Sequence, residues 1–217
     1  MQEIKRHYFF EFSGMPKSGK TTTVESIRHL YKRLGYNVQS FSGHDRTVGV
    51  DKSNPRELNI ILASKSVEFL VKNSVNECKP TIFLMDRGIF DRSVFIRLAY
   101  NQRALSLEEK EVITRFLLLP NNCKMIDGLF VFTVNSEESM KREYSKTLVE
   151  LPGRVMNVCY LNEFSTALND TFNENNRFEG KKYWIDTTEQ TPRETGLFVA
   201  KQIWKIIGGN TDEFPVF

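Results

Sequence analysis

Cysteine is scarce in this chain, and its scarcity excludes two kinds of small-protein scaffold. The 217 residues contain only Cys78, Cys123 and Cys159, with no C-x-x-C pair. An odd, widely spaced set argues against a disulfide framework and against a zinc site. It predicts reduced thiols in or near the core. The three histidines also show no metal-ligand spacing.

Long apolar runs and a strong net charge are absent as well. No apolar run reaches the roughly 18 residues of a membrane span, and the N-terminus lacks a signal-peptide pattern. The 30 basic residues nearly balance the 27 acidic ones, so the net charge is +3. So mild a charge does not favour a nucleic-acid-coating protein, but it is compatible with a local basic cleft. We expect a cytoplasmic protein with a small-molecule partner and neither membrane nor nucleic acid. Homodimerisation stays open.

The sequence does contain a phosphate-binding motif. Residues 14–21 read Gly-Met-Pro-Lys-Ser-Gly-Lys-Thr, which fits G-x-x-x-x-G-K-[ST]. In this pattern the glycines let backbone N–H groups converge on phosphate oxygens, Lys20 reaches the β- and γ-phosphates, and the Thr21 hydroxyl binds Mg²⁺. The alternative is a glycine-rich turn with an accidental Lys-Thr. The predicted donor-binding residues here are Gly14, Pro16, Lys17, Ser18, Gly19, Lys20, Thr21 and Thr22.

Strands and helices alternate along the chain. Predicted strands cover 7–13, 36–41, 81–85, 128–134 and 182–185. Predicted helices cover 20–34, 58–78, 90–118 with a break near 101–106, 136–148, 155–174 and 192–207. This order predicts one α/β domain over residues 1–217, with three α/β/α layers and a mostly parallel five-stranded sheet. Residues that follow the strands should converge on one cleft.

Two charged residues, Asp86 and Arg87, directly follow the third predicted strand and should therefore lie at this cleft. Asp86 is placed to hold Mg²⁺ or to act as a base on an attacking hydroxyl. Arg87 offers a guanidinium for a second phosphate or an anionic substrate. The alternatives are that Asp86 merely caps the next helix, and that Arg87 pairs with Asp45 or Asp91 and has a structural role.

Further candidates lie in loops and helices near the same edge. Arg46, in the polar loop 42–56, is a candidate for the acceptor's phosphate, or it is a solvated loop charge. Lys17 lies where the γ-phosphate or the acceptor would be. Phe90 and Tyr100 follow the Asp-Arg-Gly turn and are candidates for stacking on a base.

A basic segment follows the fourth strand. Helix 136–148 carries Lys141, Arg142 and Lys146, and Arg154 follows a Pro-Gly break. Such a hinged basic segment, about 141–154, predicts a lid that closes on phosphates and excludes water. The alternative is a solvated charged helix face.

Taken together, these motifs resemble the thymidylate kinase and deoxynucleoside kinase group of P-loop kinases, with a P-loop kinase fold and a helical lid. The resemblance rests on the GMPKSGKT loop, the loop with Arg46, the Asp86-Arg87 pair and the arginine-bearing lid, and it spans about 7–190. It implies that Lys17 assists catalysis, Arg46 binds the acceptor phosphate, and Asp86 and Arg87 serve the acceptor and the metal. Arg142 and Arg154 would embrace the donor phosphates.

The resemblance implies ATP·Mg²⁺-dependent phosphoryl transfer to a small acceptor. Arg46 and Arg87 exceed the cations that ATP needs, and this favours a nucleoside monophosphate such as dTMP. A kinase of a free nucleoside or small alcohol is an alternative. So is a regulatory P-loop NTPase, although the chain has no N-K-x-D guanine motif.

Overall fold

A five-stranded parallel sheet forms the centre of the molecule. The structure, a computed structural model, describes residue 4 and residues 6–42, 54–75, 79–145, 155–178 and 180–215. The strand order is β2-β3-β1-β4-β5, and each neighbouring pair is parallel. The strands are β1 (Tyr8–Gly14), β2 (Val38–Ser42), β3 (Ile82–Asp86), β4 (Ile126–Thr133) and β5 (Lys182–Asp186).

Helices connect the strands and cover both faces of the sheet. They are α1 (Lys20–Arg33), α2 (Pro55–Ser74), α3 (Ile89–Asn101), α4 (Leu107–Leu117), α5 (Pro120–Met125), α6 (Ser136–Tyr144), α7 (Val158–Glu174) and α8 (Pro192–Ile206). Within the described residues, no helix has both the length and the apolar character needed to span a membrane.

The two faces of the sheet have separate hydrophobic cores. Phe10 and Phe12 of β1 pack with Ile27 of α1 and Ile203 of α8 on one face. Phe9 faces the other way, into a cluster that includes residues of α2, α3 and α7. This alternation follows from the two-residue period of a strand, and a strand buried on both faces is apolar throughout. The predicted three-layer α/β fold is confirmed.

Several predicted boundaries differ from the observed ones for local reasons. Helix α2 begins at Pro55 rather than at 58, because the Asn54 side chain accepts the Glu57 N–H at 3.3 Å and caps it. The predicted break in 90–118 is confirmed: α4 restarts with a capping box between Ser106 and Glu109. Helix α5 was not predicted. The loop with Arg46 and most of the predicted lid, including Lys146 and Arg154, lie outside the described residues.

Candidate active site

The G-x-x-x-x-G-K-T segment connects β1 to α1, as its motif requires. Gly14 has a φ of 128°, and a Cβ there would lie 1.9 Å from the Phe132 carbonyl oxygen of β4. That carbonyl accepts the Met15 N–H at 2.9 Å. The loop therefore packs directly on β4, and only glycine fits at its start. Gly19, also at positive φ, precedes α1, whose N-terminus faces the loop.

Lys20 is buried at the base of this loop. Its Nζ donates to the carbonyl oxygens of Gly14 at 2.8 Å and Met15 at 2.6 Å. Burial, helped by the charge of Arg87, lowers the pKa of Lys20 to about 7, while Asp91 and Asp86 oppose the shift. An anion in the loop would raise that pKa and keep the ammonium charged.

Thr21 and Asp86 meet across the gap between α1 and β3. The Thr21 hydroxyl donates to Asp86 Oδ2 at 2.8 Å, whereas Asp86 Oδ1 is buried without a hydrogen-bond partner. One hydroxyl and one carboxylate with a free oxygen fit Mg²⁺, which takes few protein ligands beside phosphate and water. No larger cluster of His, Cys, Asp or Glu able to hold a metal occurs among the described residues.

Asp86 does not cap α3, so the alternative assignment made from the sequence is wrong. The N-cap position belongs to Gly88, which has no side chain, and Arg87 before it has a φ of 71°. The cap comes instead from Glu11 of β1. Its carboxylate accepts the N–H groups of Gly88 at 3.1 Å, Phe90 at 3.2 Å and Asp91 at 2.8 Å.

Glu11 is fully buried, and its burial raises its pKa to about 7 against the three backbone donors. A Cβ on Gly88 would lie 2.7 Å from the Glu11 carboxyl carbon, so the close approach requires glycine at that position. Sequence reasoning missed this role. The signal was an acidic residue in the middle of an aromatic strand.

Asp91 is the second buried carboxylate at this site, and the pairing of Arg87 with Asp91, which the sequence left open, is confirmed. Its Oδ1 accepts from the Ser13 hydroxyl at 2.8 Å and the Gly14 N–H at 3.2 Å, and its Oδ2 accepts from Arg87 Nη1 at 3.2 Å. Burial alone would raise the pKa of Asp91, but Arg87, Arg92 and Lys20 hold it below its usual value. Asp91 therefore ties the start of the phosphate loop to Arg87.

Arg142 of α6 lies beside the phosphate loop, and neighbouring groups hold its guanidinium. Nε donates to Glu138, Nη1 to the Lys17 carbonyl and the Thr187 hydroxyl, and Nη2 to the carbonyls of Thr187 and Thr188. These bonds engage all five N–H donors of a guanidinium. Arg142 thereby joins α6, the phosphate loop and the segment after β5. Because it also lines the cavity that the phosphate loop borders, its assignment to the donor phosphates stays a prediction.

Lys17 and α6 meet at the edge of the loop. Lys17 Nζ forms an ion pair with Glu143, and the Ser139 hydroxyl donates to the Pro16 carbonyl at 3.0 Å. The Lys17 side chain is thus held by a carboxylate on the neighbouring helix.

A cavity of about 930 Å³ joins these groups. Its lining includes residues 16–23 of the phosphate loop and α1, Asp86 and Arg87, the α6 residues Glu138, Arg142 and Glu143, and residues at the start of α8. The latter are Gln190, Pro192 and Thr195. Its volume is that of an ordinary small-molecule site.

The two aromatic candidates lie away from this cavity. Phe90 is completely buried and packs edge-on against Phe178 at 5.9 Å, so its ring has no free face for a base. Tyr100 lies at the other end of α3, about 14 Å along the helix from Asp91, where Lys110 covers its ring. Adjacent positions on a helix point in different directions, and the motif alone did not reveal which one faced the site.

The fold of this chain is similar to that of known kinases of solved structure. Neither a protein-family model nor a curated protein matches this chain. Among solved structures, deoxyadenosine kinase from M. mycoides is similar with a TM-score of 0.63, 13% identity, and coverage of 91% of this chain and 99% of that one. Thymidylate kinase from Candida albicans is similar with a TM-score of 0.58, 18% identity, and coverage of 93% and 91%.

This chain has the fold of the P-loop nucleoside and nucleotide kinases. The fold expected from the resemblance is confirmed. At these identities the likeness concerns architecture, and the chemistry depends on the residues above.

Proposed function

We propose that this protein is a phosphotransferase that moves the γ-phosphoryl group of ATP to a small nucleoside or nucleotide acceptor. One observation carries the proposal: Lys20, the Thr21–Asp86 pair and Arg87 all line the same cavity. Binding of a polyphosphate needs the first three groups, and a second, acceptor-side cation is what distinguishes a kinase from a simple nucleotide-binding loop.

The donor lies along the phosphate loop in this proposal. Backbone N–H groups and the N-terminus of α1 receive its phosphates, and Lys20 adds its charge. The base extends toward Gln190, Pro192 and Thr195. There the Thr195 hydroxyl donates to Gln190 Oε1 at 3.0 Å. The oxygen of the Gln190 amide is thus engaged, and its NH₂ group is the part that can donate to the nucleobase.

Thr21 and Asp86 are the residues that would hold Mg²⁺, since Asp86 Oδ1 is buried without a partner. The ion, when bound, neutralises negative charge on the β- and γ-phosphates.

Arg87 marks the acceptor side. An acceptor oxygen attacks the γ-phosphorus while the bond from that phosphorus to the β,γ-bridging oxygen breaks, so ADP leaves. A hydroxyl acceptor also releases a proton, and Asp86 is the carboxylate placed to take it. A phosphate acceptor already ionised near neutral pH needs no base.

The acceptor we propose is a nucleoside monophosphate. One similar structure is a thymidylate kinase and another a deoxyadenosine kinase, so the fold accommodates both acceptor classes. Arg87 favours a phosphate, because its Nε is buried without a hydrogen-bond partner. A free nucleoside is the second candidate, since Asp91 already balances the charge of Arg87.

An ADP-release assay tests the proposal. Purified protein would be given ATP and Mg²⁺ with each of the common nucleosides and their monophosphates in turn. We expect ADP formation that requires both Mg²⁺ and one acceptor. ADP formation at the same rate without any acceptor would identify an NTPase and contradict the kinase, as would the absence of turnover with every acceptor despite ATP binding.

A further inference from the structure

Arg92 is a buried arginine with a free hydrogen-bonding edge. Its side chain is only 2% exposed, and neither Nε nor Nη2 has a hydrogen-bond partner. These two nitrogens lie on the same edge of a guanidinium, the edge that grips a carboxylate or phosphate through two parallel bonds. Buried polar groups are nearly always paired, so an unpaired edge in a folded core indicates a missing partner.

Arg87 and Arg92 converge on the same two neighbours. Arg87 Nη1 lies 3.2 Å and Arg92 Nη2 3.9 Å from the same oxygen, Asp91 Oδ2. Both guanidinium carbons also lie over the Phe95 ring, at 5.0 and 5.1 Å from its centre. The two cations are therefore adjacent, and three of their nitrogens have no hydrogen-bond partner: Nε of Arg87, and Nε and Nη2 of Arg92.

One carboxylate does not satisfy this pair. Asp91 accepts from Ser13 and Gly14 through its other oxygen, and it makes only the long 3.9 Å contact with Arg92. Burial lowers the pKa of Arg92 to about 10 and the charge of Arg87 adds to the shift, while Asp91, Glu11 and Asp86 offset only part of it. A further anion beside the two arginines would oppose their repulsion.

We infer that Arg92, together with Arg87, binds the phosphate of the acceptor, so the acceptor class is a nucleoside monophosphate. This inference rests on the proposed function and deepens it. Arg87 lines the cavity. Arg92 does not line it, but it lies against the same carboxylate and ring, so the proposed phosphate passes Arg87 to reach the free edge of Arg92. The free edge of Arg92 supplies two charge-assisted bonds, and Arg87 Nε supplies a third.

Calorimetry on the donor-loaded protein tests the inference. Protein saturated with a non-hydrolysable ATP analogue and Mg²⁺ would be titrated with the four deoxynucleoside monophosphates and the four deoxynucleosides. The variants are Arg92→Gln, Arg92→Lys and, as the matched control on the same helix, Arg97→Gln, whose guanidinium pairs at the surface with Glu174.

We expect Arg92→Gln to raise the Kd of the best monophosphate by about 10- to 100-fold, as for loss of charged hydrogen bonds. The Kd values for nucleosides and for the ATP analogue should stay within about twofold. Arg92→Lys keeps the charge but not the two-donor edge, so its effect should be about 3- to 10-fold. If Arg92→Gln does not fold, the lysine variant decides alone.

Three results would overturn the inference: unchanged monophosphate binding, equal weakening of monophosphate and nucleoside, or a wild type that binds the ATP analogue but no monophosphate. In these cases donor binding survives. A wild type that does not bind the ATP analogue refutes the proposed function itself, and the two failures are therefore distinguishable.

Discussion

Lys17 of the phosphate loop and Glu143 of α6 form an ion pair on the wall of the cavity. A carboxylate there repels a polyphosphate and competes with it for Lys17. We expect Glu143→Gln to lower the Kd of ATP by about threefold to tenfold, the scale of a partly exposed charge pair. Glu137→Gln, an exposed residue of the same helix, is the control. Titration with a fluorescent ATP analogue measures both, and weaker binding by Glu143→Gln would show that Glu143 helps to build the site.

Lys20→Met should stop phosphoryl transfer while the fold survives. The methionine fills the volume of the side chain but removes the charge that faces the phosphates, so kcat should fall by at least about 10²-fold. Lys32→Met, an exposed residue of the same helix, should retain full turnover. Circular dichroism confirms folding of both. Turnover by Lys20→Met at the rate of the Lys32→Met control would remove Lys20 from the mechanism.

Asp86→Asn should lower turnover by about 10²-fold or more, because a neutral amide binds Mg²⁺ more weakly than a carboxylate and does not accept a proton. Its hydrogen bond with Thr21 can persist, so thermal stability should change little. Asp170→Asn, at the surface of α7, serves as the control. The opposite pattern, with lost stability and intact turnover, would mean that Asp86 is structural.

Glu11 makes the free energy of unfolding depend on pH. Burial raises its pKa from 4.5 to about 7, so between these values the folded state keeps a proton that the unfolded chain has released. The stability that protonated Glu11 contributes is therefore complete below about pH 4.5. It falls as the pH rises and is lost once the pH has passed about 7.

The measurement is the free energy of unfolding of wild type minus that of Glu11→Gln, from urea titrations across this range. The difference should fall by about 3 kcal/mol from about pH 4 to about pH 8. Glu189→Gln, at an exposed position, should show no such trend. A flat difference for Glu11→Gln would mean that the backbone N–H groups keep the carboxylate ionised.

The sequence was most informative where one motif determines both the structure and the chemistry. The phosphate loop, Asp86 and Arg87 were found because their positions follow strand ends in an alternating pattern. The pairing of Arg87 with Asp91 was left open from the sequence, but the cap that Glu11 provides and the contacts of Asp91 with Ser13 and Gly14 could not be predicted, because they depend on β1 and β3 lying side by side with Phe12 beside Asp86. That register brings Glu11 to the start of α3. No spacing along the chain encodes it.

The choice among α3 residues was also beyond the sequence. Phe90, predicted to stack on a base, faces the core, whereas the next residue, Asp91, contacts Arg87 and Arg92. The sequence predicts that Arg142 binds phosphate because it lies on a basic, hinged segment after the fourth strand and because the family resemblance implies it. Its hydrogen bonds to Thr187 and Thr188 depend on the loop after β5 folding back on α6.

Transfer of labelled phosphoryl groups tests the central claim most directly. Protein, Mg²⁺ and ATP carrying ¹⁸O in its γ-phosphoryl group would be incubated with the best monophosphate, and mass spectrometry would locate the label. We expect it in the nucleoside diphosphate product, and in no organic product with Lys20→Met. Label found only in inorganic phosphate, with the acceptor unchanged, would contradict the assignment as a kinase.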